Sequence, residues 1–539
     1  MVDITKLPKA KSVFEELRSQ NQIYVDHTDL IYEFAYLDGP NFLSRPRRFG
    51  KSLLISTLES LFSHGTEFFK GLKIEKLWAE REKGKSYRVI HLDFSSFAYT
   101  NPVDFDTKIY DTLANTANCL DITQKNYSGI YKSDSLLKDI ISSAPGEFVL
   151  LIDEYDYPLT HSLDDKELFE EYRKYIQGLL GTIKALSGKM RFIFITGVGR
   201  FAKTSVFSQL NNLRDLGLEA KFAPLLGYTE ADMHQYFDEY VENAANILNL
   251  SKDECYSQIK AHYDGYRFHV NNEALLHNPW SVLNFLVSPE EGFKNFWYET
   301  GGAYPTLIAK YIKSIQDTPL KTLQKIEIRE QDLNLFYDYF DAPTVSLLYQ
   351  TGYLSLRVEY DAELAITMLY LCPPNLEVKS ALTKLYYVVV RQDAVETKTI
   401  QNISSALISN FKKSDYEKLI KTFSAALNTF GYDDHEAFKS EHYCRDIIYY
   451  TLTLSGINAQ REVISAKDIA DLVVELSDKR YVFEFKLART KGSENLLLDE
   501  ALEQSRNKRY GEILPIKKLI RIGVVISAKD KAVSLWKVI

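Results

Sequence analysis

At 539 residues the chain is too long for one hydrophobic core, so two or three domains are expected. Hydrophobic residues at 45% and charged residues at 26% exclude both a disordered chain and a membrane-embedded one. A formal net charge of -8 excludes a protein that coats nucleic acid by bulk attraction, so any such contact has to be local.

Met1 to Lys11 carry no apolar run, and no later stretch approaches bilayer-spanning length. Cys119, Cys255, Cys372 and Cys444 are isolated from one another and lack zinc-ligand spacing. The expectation is a reducing cytoplasm and no membrane partner.

Residues 1–226 alternate helical stretches with short apolar runs that read as buried parallel strands: Asn41 to Ser44, Tyr87 to Phe94, Phe148 to Asp153 and Arg191 to Gly197. The pattern predicts an α/β domain on a parallel sheet. After the first run comes Ser44-Arg45-Pro46-Arg47-Arg48-Phe49-Gly50-Lys51-Ser52, opening a helix near Leu53. A strand, a turn and a helix N-terminus form a phosphate cradle, because unpaired amides point at the anion and a lysine reaches the β and γ groups. Arg47, Arg48, Gly50, Lys51 and Ser52 are therefore candidate ATP contacts, with Ser52 on magnesium. The loop departs from the usual glycine-first pattern at Arg45. The third run ends in Asp153 and Glu154, where a buried strand exposes one acid for the metal and one for the attacking water. The fourth ends at Thr196, a candidate sensor of the γ-phosphate, with Arg200 and Lys203 just beyond it.

Residues 227–376 change to a helical period, starting with Thr229 as a cap and Glu230 as a first-turn acid, and predict a helical lid. Within them a helix (Thr344 to Thr351) and two strand-like runs (Gly352 to Arg357, Leu364 to Leu371) predict a small winged-helix-like module. Residues 377–539 open with helices to about Phe430 and close in an α/β region with a hairpin, a helix and a strand near Ile520 to Ile526. The hairpin turns at Ser477-Asp478, which sets Asp471 across from Glu484. Glu484 and Lys486 share that face, while Tyr481, Phe483, Phe485 and Leu487 take the other. Charges inside so apolar a strand are costly unless paired or bound to metal. Two opposed carboxylates suit Mg2+ or Mn2+, and Lys486 could position a water or steady developing charge.

The phosphate loop, Leu151-Ile152-Asp153-Glu154-Tyr155-Asp156 and Phe194-Ile195-Thr196-Gly197-Val198 together resemble the bacterial AAA-ATPase-like family that carries a C-terminal PD-(D/E)XK nuclease-superfamily domain. The resemblance extends through Phe207 to Leu213, Tyr263-Asp264-Gly265-Tyr266, Asn278-Pro279-Trp280-Ser281 and Gln350 to Leu354, and covers nearly the whole chain. An arginine-rich loop in place of the first glycine is usual there. The resemblance implies a P-loop domain, a lid and winged-helix-like region, and a restriction-endonuclease-like α/β domain. It also implies Glu441 as a first acidic ligand, Gln504 with Lys508 and Tyr510 on the following helix, and a use for the basic stretch Arg506 to Arg521 against a phosphate backbone. The expected function is ATP binding that gates metal-dependent cleavage of nucleic acid, DNA before RNA, by a protein able to form a homo-oligomer. The alternative is an ATP-dependent regulatory or binding protein that recognises nucleic acid or protein without cutting.

Overall fold

The computed structural model describes residues 2–9, 11–119, 122, 132–162, 165–200, 206–297, 326–333, 344–361, 366–382, 397–430, 440–465, 468–476, 478–507 and 518–539. Contacts divide it into two compact units, one running to Asn375 and the other from Leu376 to Ile539 among the described residues.

The first unit is built on five strands, β1 (Pro40–Ser44), β2 (Arg88–Asp93), β3 (Phe148–Asp153), β4 (Phe192–Gly197) and β5 (Arg214–Asp215), in the order β2-β3-β4-β1-β5. The pairings are parallel, as the unbroken apolar runs predict. Val149 and Leu151 pack with Leu54, Leu58, Leu61 and Phe62 of the helix Lys51–His64. Leu150 and Ile152, which alternate with them, are equally buried, so both sheet faces are covered. Each of those large side chains contributes about 1.5–3 kcal/mol on burial. Because β4 lies between β1 and β3, the loops leaving β1 and β3 open at the same carboxyl edge of the sheet. Ligands of open α/β sheets bind at such an edge.

The helical segment that follows obeys its sequence signals closely. Thr229 and Asp232 form a capping box on Glu230–Leu248, Ser251 and Glu254 form one on Lys252–Tyr263, and Asn278 caps Pro279–Val287 with proline in the first turn. The core of these helices includes Leu7 from the N-terminal segment. Further on, the helix Thr344–Gln350 lies in the chain between β6 (Ile326–Ile328) and β7 (Ser355–Asp361), which with β8 (Ile366–Cys372) form a three-stranded sheet in the order β6-β8-β7.

In the second unit, β9 (Ala459–Ser465), β10 (Asp468–Glu475), β11 (Lys479–Ala488), β12 (Lys518–Ser527) and β13 (Ala532–Val538) form a mixed sheet in the order β13-β12-β11-β10-β9. Only β11 and β12 pair in parallel among the described strands. Tyr481, Phe483 and Phe485 form a ladder along one face of β11. Phe411 and Phe423, from the helices Thr397–Lys413 and Tyr416–Phe430, close that face at 5.0 and 5.4 Å between ring centroids. The opposite face receives the helix Glu494–Asn507: Gly523 pairs with Glu484, and a Cβ there would come within 2.9 Å of Leu502.

Candidate functional site

In the first unit β1 hands over to a loop that Gly50 ends, at φ +93°, before the helix starts at Lys51. Arg48 also sits in the left-handed region, at φ +68°, uncommon for a residue with a side chain. Lys51 is buried and donates to the carbonyl oxygens of Arg45 at 3.2 Å and Pro46 at 3.3 Å, while its Nζ lies 3.5 Å from Glu154 Oε1. The lysine thus shapes the loop from inside it and faces the acid that follows β3. Ser52 hydrogen-bonds Asp153, so the first turn of the helix and the end of β3 are already linked. Burial, together with the charge of Glu154, pushes the Asp153 carboxyl up to about 6, against the pull of Lys51 and Ser52. The strain is visible in Glu154, whose φ is +49° and whose N–H donates to Asp153 Oδ1 at 2.9 Å.

These groups bound a cleft of about 580 Å³ lined by Arg47, Arg48, Gly50, Lys51, Ser52 and Glu154. Its outer walls bring in Tyr157 and His161 after β3, Tyr228 and Trp280 from the helical segment, and Pro8 and Lys11 from the N-terminal segment. The cations of the loop prove unequal. Arg45 is buried: it donates to the carbonyls of Ser44, Phe222 and Ala223 and lies over Phe268, so it braces the loop from beneath. Burial pushes its guanidinium down to about 9, with the charge of Arg200 adding to the fall.

The Thr196 hydroxyl donates to the Leu43 carbonyl at 2.7 Å and the residue is buried, so it ties β4 to β1. Arg200 is likewise engaged, donating to Ser44 Oγ at 3.0 Å beside Asp215 at 3.2 Å, and Lys203 lies outside the described residues. Two acids escaped the sequence reading. Asp93 pairs in register with Asp153 at the end of β2, and the signal was there, since Arg88–Asp93 is another apolar run ending in an acid. Asp156 accepts the N–H groups of Val198 and Gly199. Gly197 permits this, because a Cβ there would stand 2.4 Å from Asp156 Oδ1.

In the second unit the pairs Leu472↔Phe483, Val473↔Val482, Val474↔Tyr481 and Glu475↔Arg480 give the register expected of the hairpin, although Ser477 in its turn lies outside the described residues. Continued one step beyond the paired residues, that register would set Asp471 across from Glu484. There the Phe485 N–H donates to Asp471 Oδ2 at 2.9 Å. Glu484 is buried, and Lys486 is mostly so, with its Nζ 3.8 Å from Glu441 Oε1. Burial pushes the Glu441 carboxyl up, Lys486 draws it back, and the negative charge of Asp471 adds to the rise. The Arg445 guanidinium, one turn along the helix Glu441–Leu454, was not foreseen: it stands 3.6 Å from Asp471 Oδ1 and 3.3 Å from Asp446, which Arg461 reaches at 2.7 Å.

The expected set of three acidic ligands is not gathered into one cage, and no group of three His, Cys, Asp or Glu is placed to hold a metal among the described residues. What the geometry provides is Glu441 and Asp471 close enough for their charges to act on one another, with Lys486 Nζ 3.8 Å from Glu441 and Glu484 buried two residues before Lys486 on β11. Acids so placed fit magnesium, which keeps several waters and uses one or two carboxylates. Gln504 stands on the helix over the Glu484 face, and its Oε1 is buried without a hydrogen-bond partner among the described residues. Lys508 and Tyr510 lie outside the described residues, as do Arg509 and Lys517 of the basic stretch; Arg506 and Lys518 are exposed.

Fold and site together define a parallel-sheet α/β unit with a P-loop-like turn, followed by a mixed-sheet α/β unit. Residues 8–207 match the AAA-ATPase-like family, described as a predicted AAA-ATPase, and residues 439–536 match the PD-(D/E)XK nuclease superfamily. The chain therefore carries an AAA-ATPase-like domain and a PD-(D/E)XK nuclease-superfamily domain. It is also similar to an "Uncharacterized protein in vnfD 5'region" of Azotobacter chroococcum mcd 1, 28% identical over 513 residues that cover 94% of this chain and 93% of that one. A solved structure titled as a DNA replication initiation factor aligns over 74% of this chain and 92% of its own at 10% identity, with a TM-score of 0.22 that carries no argument. No described helix is long and apolar enough to cross a membrane.

Proposed function

We propose that the first unit binds ATP with magnesium, that the second cuts the phosphodiester backbone of nucleic acid with a divalent cation, DNA before RNA, and that nucleotide occupancy gates the cut in the cytoplasm. The observation that supports the reading is the β10–β11 register, which, continued one pair beyond Leu472↔Phe483, would set Asp471 across from Glu484 with Lys486 two residues on. Burying those charges is costly unless chemistry needs them there.

In the first unit Lys51 and the loop amides would receive the phosphates, Ser52 and Asp153 would hold the magnesium, and Glu154 would take the proton of the attacking water. In the second, Asp471 and Glu484 would hold a cation that supplies Lewis acidity to the scissile phosphate. Lys486 would orient the attacking water and lend its charge to the phosphate as it gains negative charge. Gln504 could offer its side chain to the substrate from the overlying helix.

The test is cleavage of linear duplex and single-stranded DNA, and of RNA, with Mg2+ or Mn2+ and with ATP present or absent. Wild type should cut, and Glu484→Gln and Lys486→Met should each slow it by about 100-fold or more. Variants that cut as fast as wild type would end this reading. One observation favours the alternative of binding without cutting: Arg445 against Asp471 and Lys486 against Glu441 already neutralise acids of the site. That alternative predicts equal duplex retention by wild type and Glu484→Gln, with no product from either.

A further inference from the structure

Two tryptophans grip successive residues of the phosphate loop. The Trp297 indole N–H donates to the Arg47 carbonyl at 3.2 Å, and the Arg48 guanidinium lies over the Trp280 ring, 4.2 Å from its centroid. Neither contact could be read from spacing, since both tryptophans come from the distant helical segment. Trp280 is also held firmly. It is the second residue of the helix Pro279–Val287, whose Asn278 cap accepts the Ser281 N–H at 3.1 Å and donates its own backbone N–H to the Tyr263 carbonyl at 2.8 Å. The Asn278-Pro279-Trp280-Ser281 motif thereby presents one aromatic face to the loop.

Arg45 is buried on backbone carbonyls, and Lys51 is buried on carbonyls beside Glu154. Arg48 is exposed, and both it and Trp280 line the cleft. The choice of an aromatic partner is chemically informative. A carboxylate would fix Arg48 but cancel its charge, whereas a ring face holds a guanidinium without neutralising it. Partial desolvation and the neighbouring Arg47 both disfavour charge on Arg48, the direction an incoming phosphate would reverse.

We propose that Trp280 is a positioning residue of the nucleotide site, its ring holding the Arg48 guanidinium over the cleft so that Arg48 meets the phosphate groups of the bound nucleotide. This rests on the reading of that cleft as an ATP site. It gives the helical segment a direct hand in phosphate recognition, through a residue that touches Arg48 rather than the reacting atoms.

The experiment is a calorimetric titration of the full chain with Mg2+ and ATP, for wild type, Trp280→Leu, Trp280→Phe, Arg48→Gln and the Trp280→Leu/Arg48→Gln double variant, with adenosine as competitor. Trp280→Leu and Arg48→Gln should each weaken ATP about tenfold, and the double variant should be no worse than the poorer single, because the two act as one unit. Trp280→Phe should recover most of the affinity, and adenosine competition should stay at the wild-type level throughout. Losses that multiply in the double variant, or an equal loss for adenosine, would overturn the proposal in favour of a tryptophan that seats the base. Full wild-type affinity in Trp280→Leu would overturn it too. A wild type that binds no ATP would instead remove the nucleotide reading itself, and the proposal with it.

Discussion

The chain Arg461, Asp446, Arg445 and Asp471 alternates in sign, with contacts of 2.7, 3.3 and 3.6 Å along it. Side-chain exposure is 4% at Arg445 and 17% at Asp471, so water does little to satisfy either. Removing one member of a buried pair strands the other, at a cost of about 3–5 kcal/mol. Arg445→Met should therefore lower the stability of the second unit by about 2–4 kcal/mol, read from the urea midpoint of the Trp536 fluorescence transition. A change under about 0.5 kcal/mol would mean that the ladder is decorative. At this scale the sequence was legible wherever function depends on near neighbours. Lys51 and Ser52 follow Gly50, Asp153 and Glu154 end an apolar run, and Glu484 and Lys486 are two apart on one strand. It was silent wherever a side chain finds its partner across the fold. The Thr196 hydroxyl goes to Leu43, Asp156 goes to the amides of Val198 and Gly199, and Arg445 goes to Asp471, and none of these distances is a spacing.

Among elements, the same division holds for strands. β1, β3 and β4 were legible because burial on both faces leaves an unbroken apolar run. β5 has two residues, β13 is only partly buried along its length, and β9 reads Ala-Gln-Arg-Glu-Val-Ile-Ser, so none offers a period to detect. The helical segment was legible from its first cap, Thr229, and a later helix in it holds a pH-sensitive residue. His262, in the last turn of Lys252–Tyr263, is buried, donates its Nδ1–H to the Gln258 carbonyl at 2.8 Å, and stacks on Phe293 at 4.7 Å. Burial pushes its imidazole down to about 4, with the Gln258 contact opposing only in part. The folded pKa thus lies below the unfolded value near 6.5, so the neutral ring stabilises the fold fully above about pH 6.5. That contribution is lost as pH falls toward 4, because the unfolded chain takes the proton first. His262→Phe keeps the stacking and removes the titration. Between pH 7 and 4.5 the wild type should lose about 1–3 kcal/mol more than this variant in urea unfolding of the first unit. Parallel losses in the two proteins would rule the histidine out as the acid-sensitive group.

For the molecule as a whole, the decisive question is whether its two units exchange free energy. Each has its own sheet and its own candidate site, and an ATP-binding unit beside a nuclease-like unit could serve two independent ends. Gating makes a stricter demand. If ATP changes the affinity of the second unit for nucleic acid by some factor, nucleic acid must change the affinity of the first unit for ATP by the same factor, because both describe one thermodynamic cycle. Couplings of this kind typically amount to about 5- to 150-fold. Glu484→Gln provides the means to measure it, since a variant that does not cut can be held at equilibrium with a duplex. The affinity for Mg2+ and ATP should differ with and without saturating duplex, and the affinity for duplex should differ with and without saturating ATP, by equal ratios. Salt must be held constant throughout, because phosphate contacts made against a net charge of -8 are strongly screened. Ratios of one in both directions would leave two working sites and no gate. Ratios above one that disagree would show that a further equilibrium, such as assembly of several chains, is linked to one ligand and has to be measured before the gate can be assigned a size.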